Sequence, residues 1–313
     1  MKQKRTVKNV GASVRQRLSN LAREQDEDFN LVLSRYAIER LLYRMSQSQH
    51  EDEFILKGAQ LFALWMGKPH RITRDLDLLR KGNPTISQLE AIFRSICKQS
   101  VDEPDGIEFL AETVRGEEIR GREKYHGVRI RLVYHLAGAK DVLQIDVGFG
   151  DAVKPAPKMV EFPSLLDFPA PRLKAYSREA MIAEKFQAMV TLGISNSRMK
   201  DFYDLSILAN TFHFAGETLI EAIEATFKRR KIALPSEVPL ALTPDFAGNQ
   251  KKQKEWRAFL NKNRLQPAKE ALAGVVATIR KFLMPPILAL AGKQRFKRIW
   301  PPGGPWQDAE HSI

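Results

Sequence analysis

The chain has 313 residues, 43% of them hydrophobic and 28% charged, which suits an ordinary folded protein with one large domain or two. A formal charge of +13 favours a polyanionic partner, with nucleic acid the commonest. The single cysteine, Cys97, excludes a disulfide framework and a zinc cluster and fits a reducing cytoplasm; the N-terminus lacks a secretory apolar run, and no apolar stretch reads as long enough to span a bilayer.

Residues 1–10 are basic and expected to fray. Apolar residues recur at helical spacing over Ala12–Ala22 and Phe29–Met45, where Leu31, Val32, Ile38, Leu41, Leu42 and Met45 form one stripe. Arg35, Arg40 and Arg44 lie off that stripe and read as a solvated basic edge, with a nucleic-acid contact as the second reading. Phe54 to Leu56 is an apolar run that predicts a strand. Lys57 and Gly58 turn the chain into a helix at about Gln60–Met66, and a loop leads to a strand carrying Asp75 and Asp77. Gly82-Asn83-Pro84 breaks the pattern. Thr85–Gln99 predicts a helix capped by Thr85 or Ser87, with Leu89, Ile92, Phe93 and Ile96 inward.

Strands are predicted at Ile107–Leu110, Glu117–Ile119, His126–Leu136 and Val142–Phe149. In the last, Leu143, Ile145, Val147 and Phe149 share one face, while Gln144, Asp146 and Gly148 share the other. Pro155 to Pro171 is proline-rich and reads as a connector to a helical second half. There Ser177 opens a helix to about Leu192, with Lys185 beside its apolar stripe and Gly193 at its end. Ser195 or Ser197 is expected to cap a helix over Arg198–Ala209 that puts Asp201 and Asp204 on one face. Further helices are predicted at Glu217–Phe227, ending in the basic run 228–231, at Lys251–Leu260 and at Ala271–Leu283. The turn-rich tail from Pro301 reads as peripheral.

The fold class expected is α+β: N-terminal helices (1–50), a mixed-sheet catalytic domain (51–155), a proline-rich connector (156–172), a helical domain that completes the active site (173–300) and a tail (301–313). Asp75 and Asp77 are two apart on a strand and so project together. Two adjacent carboxylates repel, and Mg²⁺ or Mn²⁺ removes that cost by binding one or two carboxylates together with phosphate oxygens. Gly58 opens a helix whose exposed N–H groups suit a nucleotide phosphate. This layout resembles nucleotidyltransferases of the polymerase-beta type, where Gly-Gly or Gly-Ser opens the helix and Asp-x-Asp follows. Here Ala59 holds the second position, so a hydroxyl contact to phosphate is missing.

Four blocks in order carry a closer resemblance. They are Leu56-Lys57-Gly58-Ala59 with Thr73-Arg74-Asp75-Leu76-Asp77; Ile145-Asp146-Val147-Gly148-Phe149-Gly150; Ala183-Glu184-Lys185-Phe186-Gln187-Ala188; and the run Ser197 to Leu205. They resemble the AbiEii/AbiGii toxin family of nucleotidyltransferases, the toxin halves of bacterial phage-defence toxin–antitoxin systems, over most of the chain. The resemblance implies transfer of a nucleotide from an NTP to RNA, specifically the 3′ end of tRNA, which halts translation in the cytoplasm. It also implies a separately encoded antitoxin. It assigns Asp75 and Asp77 as metal ligands, with Asp146 as a third carboxylate, Lys185 as an essential lysine and Asp201 as the aspartate of the last motif. Lys57, Gly58, Ala59, Arg74, Lys185 and Arg198 would contact the NTP. A monomer and no membrane association are expected. The alternatives are the same catalytic core acting on a small-molecule or protein hydroxyl, and a non-catalytic nucleic-acid-binding regulator.

Overall fold

The computed structural model describes residues 9–119, 127–150, 153–265 and 271–309. The expectations placed on residues 1–8, on His126 and on the end of the tail at 310–313 lie outside these. Backbone contacts divide the chain into two units, one of Met1–Gly150 with Lys158–Ala175 and one of Asp151–Pro157 with Tyr176–Ile313.

The first unit opens with helices α1 (Val10–Glu24) and α2 (Phe29–Ser46), capped by the side chains of Asn9 and Asp28. Strand β1 (Phe54–Lys57) runs into a 3₁₀ turn at Gly58–Gln60 and the short α3 (Leu61–Met66), which Gly67 ends in the left-handed conformation. Then follow β2 (Asp75–Arg80) and α4 (Ile86–Cys97), whose N-terminus carries a complete capping box between Thr85 and Gln88. Next come β3 (Glu108–Glu118), β4 (Gly127–Leu136), β5 (Ala139–Phe149), β6 (Lys158–Glu161) and β7 (Arg172–Ala175). Among the described residues these strands form one mixed seven-stranded sheet in the order β3-β4-β5-β2-β1-β7-β6. One face is apolar: Leu56, Leu76, Leu78, Ile130, Leu143, Ile145 and Val147 are buried, and α1, α2 and α4 pack on the sheet. The other face carries the polar residues of the alternating strands.

Three expectations need correction here. The two short strands predicted between Ile107 and Ile119 are one strand, β3, because a register shift between Leu110 and Arg115 breaks the alternation without ending the strand. Thr113 holds the shift: its hydroxyl donates to Leu110 O at 2.6 Å and accepts from Val133 N at 2.9 Å. The proline-rich stretch is not bare connector, since it contains β6 and leads straight into β7, which pairs with β1. The basic edge of α2 is not solvated either. Arg40 and Arg44 are buried and converge on the buried Asp105, with Arg40 Nε at 3.0 Å and Arg44 Nη1 at 2.7 Å from Oδ2. Two buried guanidinium ions need carboxylate partners, and Asp105 with Glu39 supplies them. Arg40 and Arg44 are therefore unavailable to nucleic acid.

The second unit contains α5 (Arg178–Leu192), α6 (Met199–Thr211), the short strand β8 (Phe214–Ala215) and α7 (Gly216–Arg229). After these come α8 (Pro244–Gly248), α9 (Gln250–Lys262), α10 (Leu272–Ala291), β9 (Arg298–Trp300) and β10 (Gln307–Asp308). The run Leu272–Ala291 corrects the reading that no apolar stretch reaches bilayer length: by length and composition alone it could cross a membrane. In the sequence Arg280, Lys281, Pro285 and Pro286 interrupt it, so it reads as ending at Leu283. The helix continues because Met284, Pro286 and Ile287 are buried, and half of its apolar window is covered within the protein. The tail is likewise not peripheral up to residue 309. Trp306 stacks on Phe282 at 5.8 Å and donates its indole N–H to Phe282 O, and β9 pairs with β8 and β10.

Candidate active site

Strand register places charged residues in rows on the polar face of the first unit's sheet. Lys57 on β1 stands opposite Asp77 on β2, Asp77 opposite Asp146 on β5, Asp146 opposite Arg129 on β4, and Arg129 opposite Glu117 on β3. The next row holds Asp75, Gln144 and Arg131. Asp75 is exposed and Asp77 half-buried, while Leu76 and Leu78 between them are fully buried, as the alternation requires. The turn after β1 is shaped around this row. Gly58 has φ +73°, and a Cβ there would lie 2.0 Å from Asp77 Oδ2, so only glycine lets the backbone pass so close to the carboxylate. Ala59 and Gln60 in the same turn are buried, and Gln60 Nε2 donates to Asp75 O at 3.3 Å, which ties the turn to the start of β2. Gly148 leaves space for the Lys57 ammonium, which would lie 3.6 Å from a Cβ at that position. Arg74 is exposed beside Asp75.

Asp146 has a definite partner. Arg129 Nε and Nη2 each donate to one of its carboxylate oxygens at 2.8 Å, a bidentate pair. The hydrogen bond to Asp146 is the main reason the guanidinium is held above its ordinary range; desolvation opposes it, and the charges of Asp146, Asp75 and Glu117 add to it. Sequence reasoning did not single out Arg129. The signal was a tight hairpin: Ala137 and Gly138 are both left-handed, with φ 45° and 83°, and such a two-residue turn fixes β4 against β5 so that Arg129 faces Asp146. Asp75 and Asp77 suit a hard divalent cation, being paired carboxylates beside a turn whose glycine lets the backbone approach Asp77 closely. Among the described residues no group of three or more His, Cys, Asp or Glu side chains is gathered for a metal ion, and Asp146 faces Arg129 instead.

In the second unit the predicted Lys185, Arg198 and Asp201 come together with Asp204. Ser177 caps α5 through its hydroxyl, and Lys185 sits two turns in, buried beside Ile182, Phe186 and Met189. Its ammonium donates to Asp201 Oδ1 at 2.6 Å and Asp204 Oδ2 at 2.8 Å. Arg198 Nε lies 2.6 Å from the other oxygen of Asp201. Two buried carboxylates thus meet one buried cation, Lys185, and one partly exposed cation, Arg198. Neither Ser195 nor Ser197 caps α6. The Asn196 side chain instead accepts from Arg198 N at 2.9 Å, and the buried Lys252 of α9 donates to Asn196 O at 2.8 Å, pinning the turn that presents Arg198 and Asp201. Nothing in the sequence pattern of α9 marks Lys252 for this task.

Burial alone would raise the Asp201 carboxyl, but the charges of Lys185 and Arg198 outweigh it and hold the group below its ordinary value of 3.8. Its contribution to stability is therefore complete above that value and is lost as pH falls through the lower, folded-state value. We expect an Asp201→Asn protein to be less stable than the parent at neutral pH, with the difference narrowing below about pH 4. Urea unfolding midpoints from pH 7 to pH 3 measure this; a constant difference across the range would show that Asp201 is not held low.

A family model described as nucleotidyl transferase AbiEii toxin, type IV toxin–antitoxin system, matches residues 40–278. The solved structure of a candidate nucleotidyltransferase from H. pylori superposes with a TM-score of 0.51 at 14% identity, covering 85% of this chain and 99% of that one, and this shows a shared fold. JHP933 from Helicobacter pylori gives a TM-score of 0.47 at 15% identity, with 81% and 90% covered. No curated protein matches the sequence. The family match runs from α2 into α10 and takes in every residue of both clusters above, so the chain belongs to the AbiEii nucleotidyl transferase toxin family of type IV toxin–antitoxin systems.

Proposed function

We propose that this toxin transfers a nucleoside monophosphate from an NTP to the 3′ end of RNA, with tRNA as the acceptor. The observation that carries the reading is the pair Asp75 and Asp77 on one strand face, packed against a turn at Gly58 that tolerates no side chain. In the reaction the acceptor hydroxyl attacks the α-phosphorus, a new P–O bond forms, the bond to pyrophosphate breaks, and the hydroxyl proton passes to a base. Asp75 and Asp77 would hold Mg²⁺ or Mn²⁺, which when bound neutralises charge on the triphosphate and the developing oxyanions. Gly58 and the turn N–H groups would seat a phosphate, and Lys57 and Arg74 would add positive charge beside it. Asp146 would accept the acceptor's proton, which requires Arg129 to exchange it for another anion, a nucleotide phosphate being the available one. Lys185, oriented by Asp201 and Asp204, would counter the charge of the triphosphate, and Arg198 would contact the nucleotide. The charge of +13 supports a polyanionic acceptor over a small molecule.

The test is incubation of the purified protein with total tRNA, Mg²⁺ and each radiolabelled NTP in turn. Label on tRNA is expected with at least one nucleotide. No label on tRNA from folded protein, with label on a protein or small molecule once bacterial lysate is added, would overturn the RNA reading and favour the other acceptors that this catalytic core could serve.

A further inference from the structure

The C-terminal end of α10 forms one wall of a cavity of about 590 Å³, and residues 294–298 of the segment 293–298 form another. That segment reads Lys-Gln-Arg-Phe-Lys-Arg, four cations in six residues. Phe296 is buried at its centre, while Lys293, Arg295, Lys297 and Arg298 are exposed around it. The buried ring anchors the segment, so these charges hang on a fixed backbone rather than a loose tail. Among the described residues one acid, Asp308, lines the cavity, and it is already paired with Arg298 at 3.0 Å. Lys281, exposed and one turn before the lining residue Pro285, adds a further cation along α10 outside the cavity.

A basic run after a helix commonly serves only to cap the last carbonyls. Here backbone groups do that work: Gly292 N, Lys293 N and Gln294 N donate to Leu288 O, Leu290 O and Ala289 O at 2.8–3.0 Å. Among the described residues the side-chain charges of Arg295 and Lys297 are left over in a concave site, with the exposed Lys293 beside it in the chain, in a protein whose net charge is +13. A single small anion would use one or two of them. Several cations spread along a groove suit a repeating anion, and the repeating anion that this toxin's reaction calls for is a phosphodiester backbone.

We propose that the groove between α10 and residues 293–298 binds the phosphodiester backbone of the acceptor RNA. This rests on the reading that the acceptor is RNA. Such contacts position the strand and carry no sequence information, so they would serve many RNAs alike. The same chemistry in an acidic protein segment is the competing occupant.

The experiment titrates fluorescein-labelled tRNA with the full-length protein at several salt concentrations. A triple variant, Lys293→Gln, Arg295→Gln and Lys297→Gln, is compared with a control triple of equal charge change, Lys228→Gln, Lys231→Gln and Lys251→Gln, all exposed positions away from the groove. The groove variant is expected to bind tRNA on the order of ten- to a hundredfold more weakly, with a slope of log K against log salt shallower by about two to three. The control is expected to change both much less. Equal losses in the two variants would show a general charge effect and overturn the groove. So would unchanged tRNA binding together with lost binding of poly-L-glutamate, which would assign the site to an acidic protein. Nucleotide transfer by the same proteins separates the two readings. Transfer to RNA with an unchanged KM in the groove variant would overturn the groove alone. Groove-dependent tRNA binding by a protein that labels no RNA would overturn the transferase reading and keep the groove.

Discussion

Replacing Asp75 and Asp77 together by alanine is expected to leave the protein folded and to lower nucleotide transfer by about 10³-fold or more. Fold and activity separate because of the alternation in β2. Leu76, Leu78 and Leu79 hold the strand in the core, while Asp75 and Asp77 project from its polar face. Removing two carboxylates that repel each other should shift stability by no more than about 1 kcal/mol. Gly58→Ala is expected to reproduce the loss by a different route. Its Cβ would meet Asp77 Oδ2 at 2.0 Å, and φ +73° is strained for alanine, so the turn or the carboxylate must move. Label transfer and thermal unfolding measured on the same preparations test both variants. A folded double variant that transfers at the parent rate would remove this strand from the chemistry. An unfolded one would be replaced by the Asn pair, which keeps the shape and one acceptor oxygen of each side chain but not the charge.

The parts of this arrangement legible in the sequence are those fixed by local pattern. Asp75 and Asp77 share a face because strand side chains alternate, and the apolar partners in β2 and β5 mark which face is buried. Thr85, Ser177 and Gly193 are readable as helix ends because capping is decided within a few residues. What fails to show is whatever depends on a distant partner. Arg40 and Arg44 look like a solvated edge until Asp105, more than sixty residues on, is brought beneath them. Asp146 reads as a carboxylate free to act, and only the register of the β4–β5 hairpin reveals Arg129 across from it. Asp204 shares a helix face with Asp201 in the sequence, but only the packing of α6 on α5 shows that the Lys185 ammonium is divided almost equally between the two. Helix α10 is split in the sequence by its prolines and charges, and the packing of Met284, Pro286 and Ile287 carries it on.

The cluster around Lys185 gives the second large effect, and it bears on how an essential lysine should be tested. Lys185→Met is expected to destabilise the protein by about 3–5 kcal/mol, because it leaves the buried Asp201 and Asp204 short of a cation. Arg198 would still reach Asp201, but its side chain is 44% exposed, so solvent screens its charge far more than that of the buried ammonium. Loss of activity in that variant would then say nothing about chemistry. Adding Asp201→Asn and Asp204→Asn removes the unpaired charges, and the triple variant should recover most of the lost stability, since replacing a whole buried ionic group is far milder than breaking one. Urea unfolding of the single and triple variants measures the recovery, and label transfer by the refolded triple variant decides the role of the lysine. No transfer from a stable triple variant, with NTP binding also weakened, is the result expected if the ammonium acts on the triphosphate. Transfer restored along with stability would make Lys185 a structural cation whose work is to hold α5 and α6 together.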